Sequence, residues 1–322
     1  MAKFSFLGCP VSSPFKILFM GTSEFAVPAL EALHGAGYPV ALVVTQPDRP
    51  AGRGLDLKPS PVKQAALKLG LTVFQPEKVR NPEAVETLRK VGADLAVVAA
   101  YGQILPSSVL QLPKTACLNI HGSILPKYRG AAPIHYAILN GEAETGVTLM
   151  YMNEKMDEGD ILLIKKTPIG PEENTGEVHD RLARIGAEGL LEALKLLETG
   201  KAPRVPQDPT QATYAPSIQR EFCKLDWGWP ASRIHNRVRG LSPWPVAETA
   251  WKGMEIKVHQ AQVVDRKGPG GEVLEVSKEG VLVGAGSQSV RLLSIQPPGK
   301  KRMPAFDFTL GHPDFKVGEK LS

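Results

Sequence analysis

Two side chains with chemical potential stand two positions apart, Asn119 and His121, in the stretch Cys117-Leu-Asn-Ile-His-Gly-Ser-Ile-Leu-Pro126. The apolar run Thr115 to Ile120 predicts a buried strand of a parallel sheet. Alternation along a strand puts Asn119 and His121 on one face at its carboxyl end. Open α/β sheets bind ligands in the crevice outside those ends. Gly122 and Ser123 then turn the chain, Pro126 stiffens it, and an apolar helix follows over 134–139. An amide and an imidazole above a glycine turn have the donors to bind an oxyanion. Asp157, before Gly159 in the loop 153–160, is the next chemical candidate, because a carboxylate beside an imidazole orients the ring and favours its charged form. Taken alone, a histidine at a strand end or an acidic residue in a loop is also what an ordinary packed or solvated position looks like.

The elements that must position these groups alternate. Lys16 to Met20 predicts the first strand and the Glu24–Leu33 region an amphipathic helix with Ser23 as N-cap, followed by a strand from Val40 to Thr45. Further helices are expected near 61–69 and 82–90, with strands near 72–74 and 94–100. Strands at 146–152 and 161–166 follow, and then a long helix from Thr175, with that threonine as its cap. The first βα turn lacks G-x-G-x-x-G, and no acidic residue closes the second strand, which argues against a dinucleotide-dependent dehydrogenase. The stretch 46–61 is a long Pro/Gly-rich loop carrying Arg49, Arg53 and Lys58, within reach of phosphates if it lies beside a strand end.

A chain of 322 residues suits two domains. Residues 1–200 read as the catalytic domain, with 1–14 as an extension before the first strand. Proline-rich 201–219 reads as a linker and 220–322 as a second domain of short strands separated by turns. The formal charge of +5 falls entirely after residue 219, since residues 1–219 hold 22 basic and 22 acidic side chains. A basic module appended to a neutral one points to a polyanionic partner. Cys9, Cys117 and Cys223 are odd in number and widely spaced, giving no disulfide framework, no metal pair and an expectation of a reducing cytoplasm. No apolar run reaches the length of a membrane span.

Asn119-x-His121 with Gly122-Ser-Ile-Leu-Pro126 and Met156-Asp-Glu-Gly159 resembles the signature of the 10-formyltetrahydrofolate-dependent formyltransferases. Further matches run from Thr45 to Gly54, Pro59 to Lys63, Ala100-Tyr-Gly102, Tyr128 to Pro133, Ser242-Pro-Trp-Pro245 and Gln296 to Lys301. These resemble the branch of the family that formylates methionyl-tRNA. The resemblance implies a Rossmann-like, doubly wound, mainly parallel α/β sheet followed by a smaller OB-like β-barrel. It implies Asn119, His121 and Asp157 as the catalytic set and Ser123, Ile124, Leu125 and Pro126 as the folate-contacting segment. Position 124 departs from the commoner leucine, a same-volume exchange. Arg53, with Arg49 and Lys58 on the same loop, would reach the acceptor end of initiator methionyl-tRNA. Arg237, Arg239, Lys300, Lys301 and Arg302 would meet its phosphates, while the second domain's tryptophans mostly pack its core. In the chemistry this implies, Asn119 and a protonated His121 stabilise the oxyanion, and Asp157 keeps the ring charged and passes protons. The donor is 10-formyltetrahydrofolate, with no metal, membrane or obligate protein partner, and a monomer is expected. Other readings are a folate formyltransferase acting on a small amine or sugar nucleotide, a formyltetrahydrofolate hydrolase, and a nucleic-acid-binding module on an inactive scaffold.

Overall fold

The computed structural model describes residues 15–51 and 56–322. Arg53 and the 1–14 extension lie outside the described residues. By contacts the chain divides into two units. The first comprises the described residues up to Arg129 with Gly146–Lys166 and Asp180–Thr213, and the second Gly130–Thr145, Thr167–His179 and Tyr214–Ser322.

In the first part of the chain, apolar runs become strands and the amphipathic segments between them become helices. The order is β1 (Ile17–Gly21), α1 (Val27–Gly35), β2 (Val40–Val44), β3 (Arg49–Ala51), β4 (Asp56–Lys58), α2 (Pro61–Lys68) and β5 (Val73–Phe74). Then come α3 (Pro82–Val91), β6 (Leu95–Ala99), α4 (Ser107–Leu110), β7 (Ala116–His121), α5 (Pro133–Leu139), β8 (Glu144–Tyr151), β9 (Ile161–Pro168) and α6 (Thr175–Glu198). Seven strands form one sheet in the order β5-β2-β1-β6-β7-β8-β9. The pairings from β5 across to β7 are parallel, and β8 runs antiparallel to β7. The mainly parallel sheet expected from the apolar runs is therefore present.

β1 and β6 are buried along their whole length, as continuous apolar strands require. At about 1.5–3 kcal/mol for each large apolar side chain removed from water, such strands dominate the favourable side of folding. Leu18, Met20, Ala96, Val98 and Cys117 share a core with Val85 and Leu88 of α3 and Val109 of α4. Asn119 and His121 follow Cys117 on that face by alternation. On the opposite face Ile120 packs on Gly186 of α6, where a Cβ would come within 2.9 Å of the isoleucine.

Three local expectations change. Ser23 precedes a short 3-10 turn (Glu24–Ala26), to which its side chain makes no capping bond, and α1 starts afterwards. Asn174, not Thr175, caps α6: its Oδ1 accepts from Glu177 N at 3.1 Å and Glu177 Oε2 accepts from Asn174 N at 2.9 Å, a capping box. Within the long 46–61 loop, β3 and β4 pair as a short antiparallel ribbon, with Arg49 opposite Lys58.

The later elements are α7 (Ala231–Gly240), β10 (Ala247–Trp251), β11 (Met254–Val264), β12 (Val273–Ser277), β13 (Gly280–Gly284), β14 (Ser289–Gln296), β15 (Met303–Pro304) and α8 (Ala305–Leu310). Antiparallel strands form a sheet in the order β10-β11-β14-β13-β12, and β15 adds to β14. Its core includes Trp227, Ile234, Val238, Val258, Val281, Ile295 and Phe308. α5 packs against α7, where a Cβ on Gly240 would come within 2.9 Å of Leu139.

Candidate active site

The centre is assembled at the carboxyl end of β7. Register with β6 pairs Val98 with Asn119, and register with β8 pairs His121 with Thr148. His121 therefore comes beside the point where β8 enters the sheet. The imidazole is 6% exposed, and its Nε2 lies 2.9 Å from the carbonyl oxygen of Tyr128. A carbonyl only accepts, so Nε2 carries the hydrogen. Nδ1 consequently faces Asp157, with Oδ2 at 3.7 Å. Asn119 Nδ2 lies 3.5 Å from the other carboxylate oxygen, Oδ1. Both separations are longer than a tight hydrogen bond. The amide, the ring and the carboxylate thus converge with room to close further around a third group.

The backbone around them is held in sparsely populated conformations. Tyr128 (φ 61°) and Asp157 (φ 55°) are non-glycine residues in the left-handed region. Ala100, which follows the end of β6, is a third, at φ 43°. Such residues persist only where surrounding structure over-determines them, and they cluster at functional sites.

Between His121 and Tyr128 the turn is closed on itself. Ser123 Oγ donates to Lys127 O at 2.6 Å. The Thr148 hydroxyl donates to Ser123 O at 2.7 Å and accepts from Leu125 N at 3.1 Å. Lys127 N donates to Ile124 O at 3.1 Å. Ser123 and Leu125 are buried, while Ile124 and Pro126 are half-buried and form the accessible part of the segment. Tyr101, two residues past β6, has a buried hydroxyl with no hydrogen-bond partner among the described residues, and burial pushes its pKa up to about 12. Among the described residues no group of three His, Cys, Asp or Glu is arranged to hold a metal ion.

The basic candidates separate by burial. Arg49 is exposed and pairs with Glu77 at 3.2 Å, and Lys58 is exposed across the ribbon from it. The base of the ribbon is fixed by Asp48, which accepts from Lys63 Nζ at 2.6 Å and Gln75 Nε2 at 2.7 Å. Those two donors hold its carboxyl below the usual range. Lys300, Lys301 and Arg302 are exposed in the second unit, with Arg302 Nε donating to Ser294 Oγ at 2.7 Å. Arg237 and Arg239 are each only 8% exposed. Arg237 donates to Phe222 O and lies over the Phe222 ring, and Arg239 donates to the carbonyls of Gly170 and Glu173. Burial takes these two out of the set offered to a phosphate. Of the tryptophans, Trp227 is core, whereas Trp244 is 68% exposed beside a cavity of about 530 Å³ that Pro245, Lys257 and Gln296 also line.

Sequence reasoning missed two polar residues at this edge. Arg129, 3% exposed, pairs with Glu158 at 3.1 Å, and Gln207 reaches the backbone on both sides of Glu158. Both contacts are long-range and leave no periodic signal.

With the geometry in hand, comparison with known proteins is decisive. A family model described as formyl transferase matches residues 15–194, and one described as the formyl transferase C-terminal domain matches residues 217–313. The class is thus formyl transferase. Solved structures share the fold at low identity. HypX from Aquifex aeolicus in complex with tetrahydrofolic acid gives a TM-score of 0.61 at 20% identity, over 92% of this chain and 47% of that one, so this chain spans about half its length. WlaRD, a sugar 3N-formyl transferase, gives a TM-score of 0.65 at 18% identity, over 89% of this chain and 98% of that one. A methionyl-tRNA formyltransferase of Moorella thermoacetica is 50% identical over 300 residues, 92% of this chain and 96% of its own length. That identity and coverage are matched by the Syntrophus aciditrophicus enzyme, 50% identical over 298 residues. The chain belongs to the methionyl-tRNA formyltransferase family.

Proposed function

We propose that the protein transfers the formyl group of 10-formyltetrahydrofolate to the α-amine of methionyl-initiator tRNA. The observation that carries this reading is the convergence of Asn119, His121 and Asp157 at the end of β7, in a chain about 50% identical to methionyl-tRNA formyltransferases. A folate supplies the activated formyl carbon when bound. The residues present fit such a ligand: the half-buried Ile124 and Pro126 offer it an apolar wall.

The roles follow from the atoms. Asn119 Nδ2 donates toward the space in front of Asp157, where it would stabilise negative charge developing on the formyl oxygen. With Nε2 of His121 committed to Tyr128 O, a proton at Nδ1 faces a carboxylate. As the formyl carbon bonds to the α-nitrogen it parts from N10 of the folate, and ring and carboxylate would relay one of the two protons the amine loses to N10 as it leaves. A free α-amine with a pKa near 8 is largely protonated at neutral pH and must shed a proton before attack. Asp157, 14% exposed, is the acceptor placed for it, directly or through water. The exposed Arg49 and Lys58 on the ribbon, with Arg53 in the same loop, would meet the acceptor end of the tRNA, and Lys300, Lys301 and Arg302 its backbone.

The test is formyl transfer from 10-formyltetrahydrofolate to charged initiator tRNA, wild type beside Arg53→Ala. Transfer by the wild type that collapses in the variant, with folate binding retained, supports the chemistry and the loop's role. Transfer to a small amine, or release of formate, with none to tRNA would overturn the reading.

A further inference from the structure

The candidate centre draws its groups from two places far apart in sequence, the end of β7, whose following turn supplies the carbonyl that fixes His121, and the turn before β9. Both are held by a third stretch, residues 204–213, whose proline-rich composition reads as a plain connection. Val205 exchanges backbone hydrogen bonds with Ile161 at 2.8 and 3.0 Å, alongside the start of β9. Gln207 Nε2 then donates to the carbonyls of Asp157 and Gly159, both at 2.8 Å. Its Oε1 accepts from Arg129 Nε at 3.1 Å and Nη2 at 2.8 Å. The remaining Nη1 of Arg129 meets Glu158 Oε1 at 3.1 Å. At the far end of the stretch, Thr213 accepts from Tyr128 N through its hydroxyl and from Arg129 N through its carbonyl, each at 2.9 Å. Tyr128 in turn supplies the carbonyl that fixes His121.

We infer that Gln207 and Arg129 are positioning residues that set the separation between His121 and Asp157, acting through the 204–213 stretch. The inference rests on the functional reading above for the importance of that separation. The chemistry demands these residue types. Only an amide side chain can accept from Arg129 and donate to two carbonyls at once; a carboxylate would lose both donations. Only a guanidinium presents a planar fork able to place two N–H groups on one oxygen while a third meets Glu158. A buried charge is tolerated when it is paired and hydrogen-bonded, as Arg129 is. Asp157 sits in the left-handed region, and the Gln207 bond to its carbonyl is one of the constraints that keep it there.

The variant to make is Gln207→Glu in the full chain. It keeps the shape and the acceptor for Arg129 and removes both donations, and a thermal melt checks that the variant is folded before its kinetics are read. Expected in formyl transfer to charged initiator tRNA is a fall in kcat on the order of ten- to a hundredfold, with KM for both substrates within about twofold, because a small misplacement of a catalytic group costs that much. Combined with Asp157→Asn, the substitution should cost nothing more, since it acts through that carboxylate. A Gln207→Glu protein with wild-type kcat, or one whose defect multiplies with that of Asp157→Asn, overturns the inference. Hydrogen exchange over residues 153–160 gives an answer that needs no turnover: exchange should be faster in Gln207→Glu, and unchanged exchange also overturns it. If the wild type itself moved no formyl group to tRNA, the functional reading would fall, while the exchange result would still decide whether Gln207 holds the loop.

Discussion

Gly159→Ala is the substitution whose effect the structure defines most sharply. Gly159 lies two residues past Asp157, in the turn between β8 and β9. A Cβ built there would fall inside the carbonyl oxygen of Tyr151 and 2.9 Å from its carbon, with Met150 Cε at 3.3 Å. Carbon–carbon contacts are favourable only at about 3.5–4.0 Å, and the clash with the carbonyl oxygen is closer still and sets the displacement, so the turn must retreat by roughly 1.5 Å. The obstacle is backbone in a buried strand, which cannot swing aside as a flexible side chain would. The retreat carries Asp157 away from His121 Nδ1 and Asn119 Nδ2, which already stand 3.7 and 3.5 Å from its oxygens. A misplacement of about 1 Å costs on the order of a hundredfold in rate. Overpacking of this kind costs roughly 1–3 kcal/mol of stability, which lowers Tm without unfolding the protein. The assay is single-turnover formyl transfer with saturating folate and charged tRNA, beside a thermal melt. A folded Gly159→Ala protein with wild-type single-turnover rate would refute the placement of Asp157 in the chemistry.

Asn119→Ala should lower kcat by about 10²–10³, or roughly 3–4 kcal/mol, with KM for tRNA little changed; near-normal turnover would end the oxyanion role. Replacing Lys300, Lys301 and Arg302 with alanine should weaken tRNA binding and flatten its salt dependence, by up to about 0.9 in log–log slope for each phosphate no longer neutralised, as measured by filter binding across a salt series. Arg237→Ala or Arg239→Ala should instead lower Tm, by roughly 1–3 kcal/mol in stability for the carbonyls left unmet, and leave that slope unchanged. Burial pushes the Cys117 thiol up to about 12 and raises that of Cys223, so both should resist alkylation in the native protein and label once it is denatured, read peptide by peptide by mass spectrometry. Asp94 is held below its ordinary pKa by Lys114 and by the backbone N–H of Lys16. A depressed carboxylate contributes stability above its unfolded value and loses it as pH falls through the lower folded one, so Asp94→Asn should flatten the acid limb of Tm below about pH 5.

Much of the first sheet was legible because buried parallel strands are written as uninterrupted apolar runs. Asn119 and His121 stood out as polar interruptions of one such run, and alternation alone put them on a common face. The ribbon of β3 and β4 escaped because a three-residue pairing between exposed strands leaves no hydrophobic pattern. The Asn174-x-x-Glu177 capping box is written in the sequence, one residue before Thr175, which has the same hydrogen-bonding chemistry at a neighbouring position. Arg237 follows Ile234 by three positions, so helical spacing turns it toward the same buried face, a signal outweighed by its charge. Gln207 could not have been found this way. Its partners lie 48, 50 and 78 residues away, and nothing local distinguishes it from any amide in a proline-rich stretch.

The second unit is not one continuous length of chain, and this bears on when it can form. Residues 130–145 and 167–179 belong to it, yet they precede its main body, which starts at Tyr214. α5 waits for α7, since Leu139 fills the space over Gly240 and Tyr136 packs against Phe222. Thr175 Oγ1 likewise donates to Gly240 O across 65 residues. On the ribosome those early segments emerge with their partners still unmade, and the entropy of closing such long loops is spent before the contacts form. A fragment cut at residue 214 would carry the antiparallel sheet but expose the face of α7 that α5 covers, so this unit completes itself only when the whole chain is present.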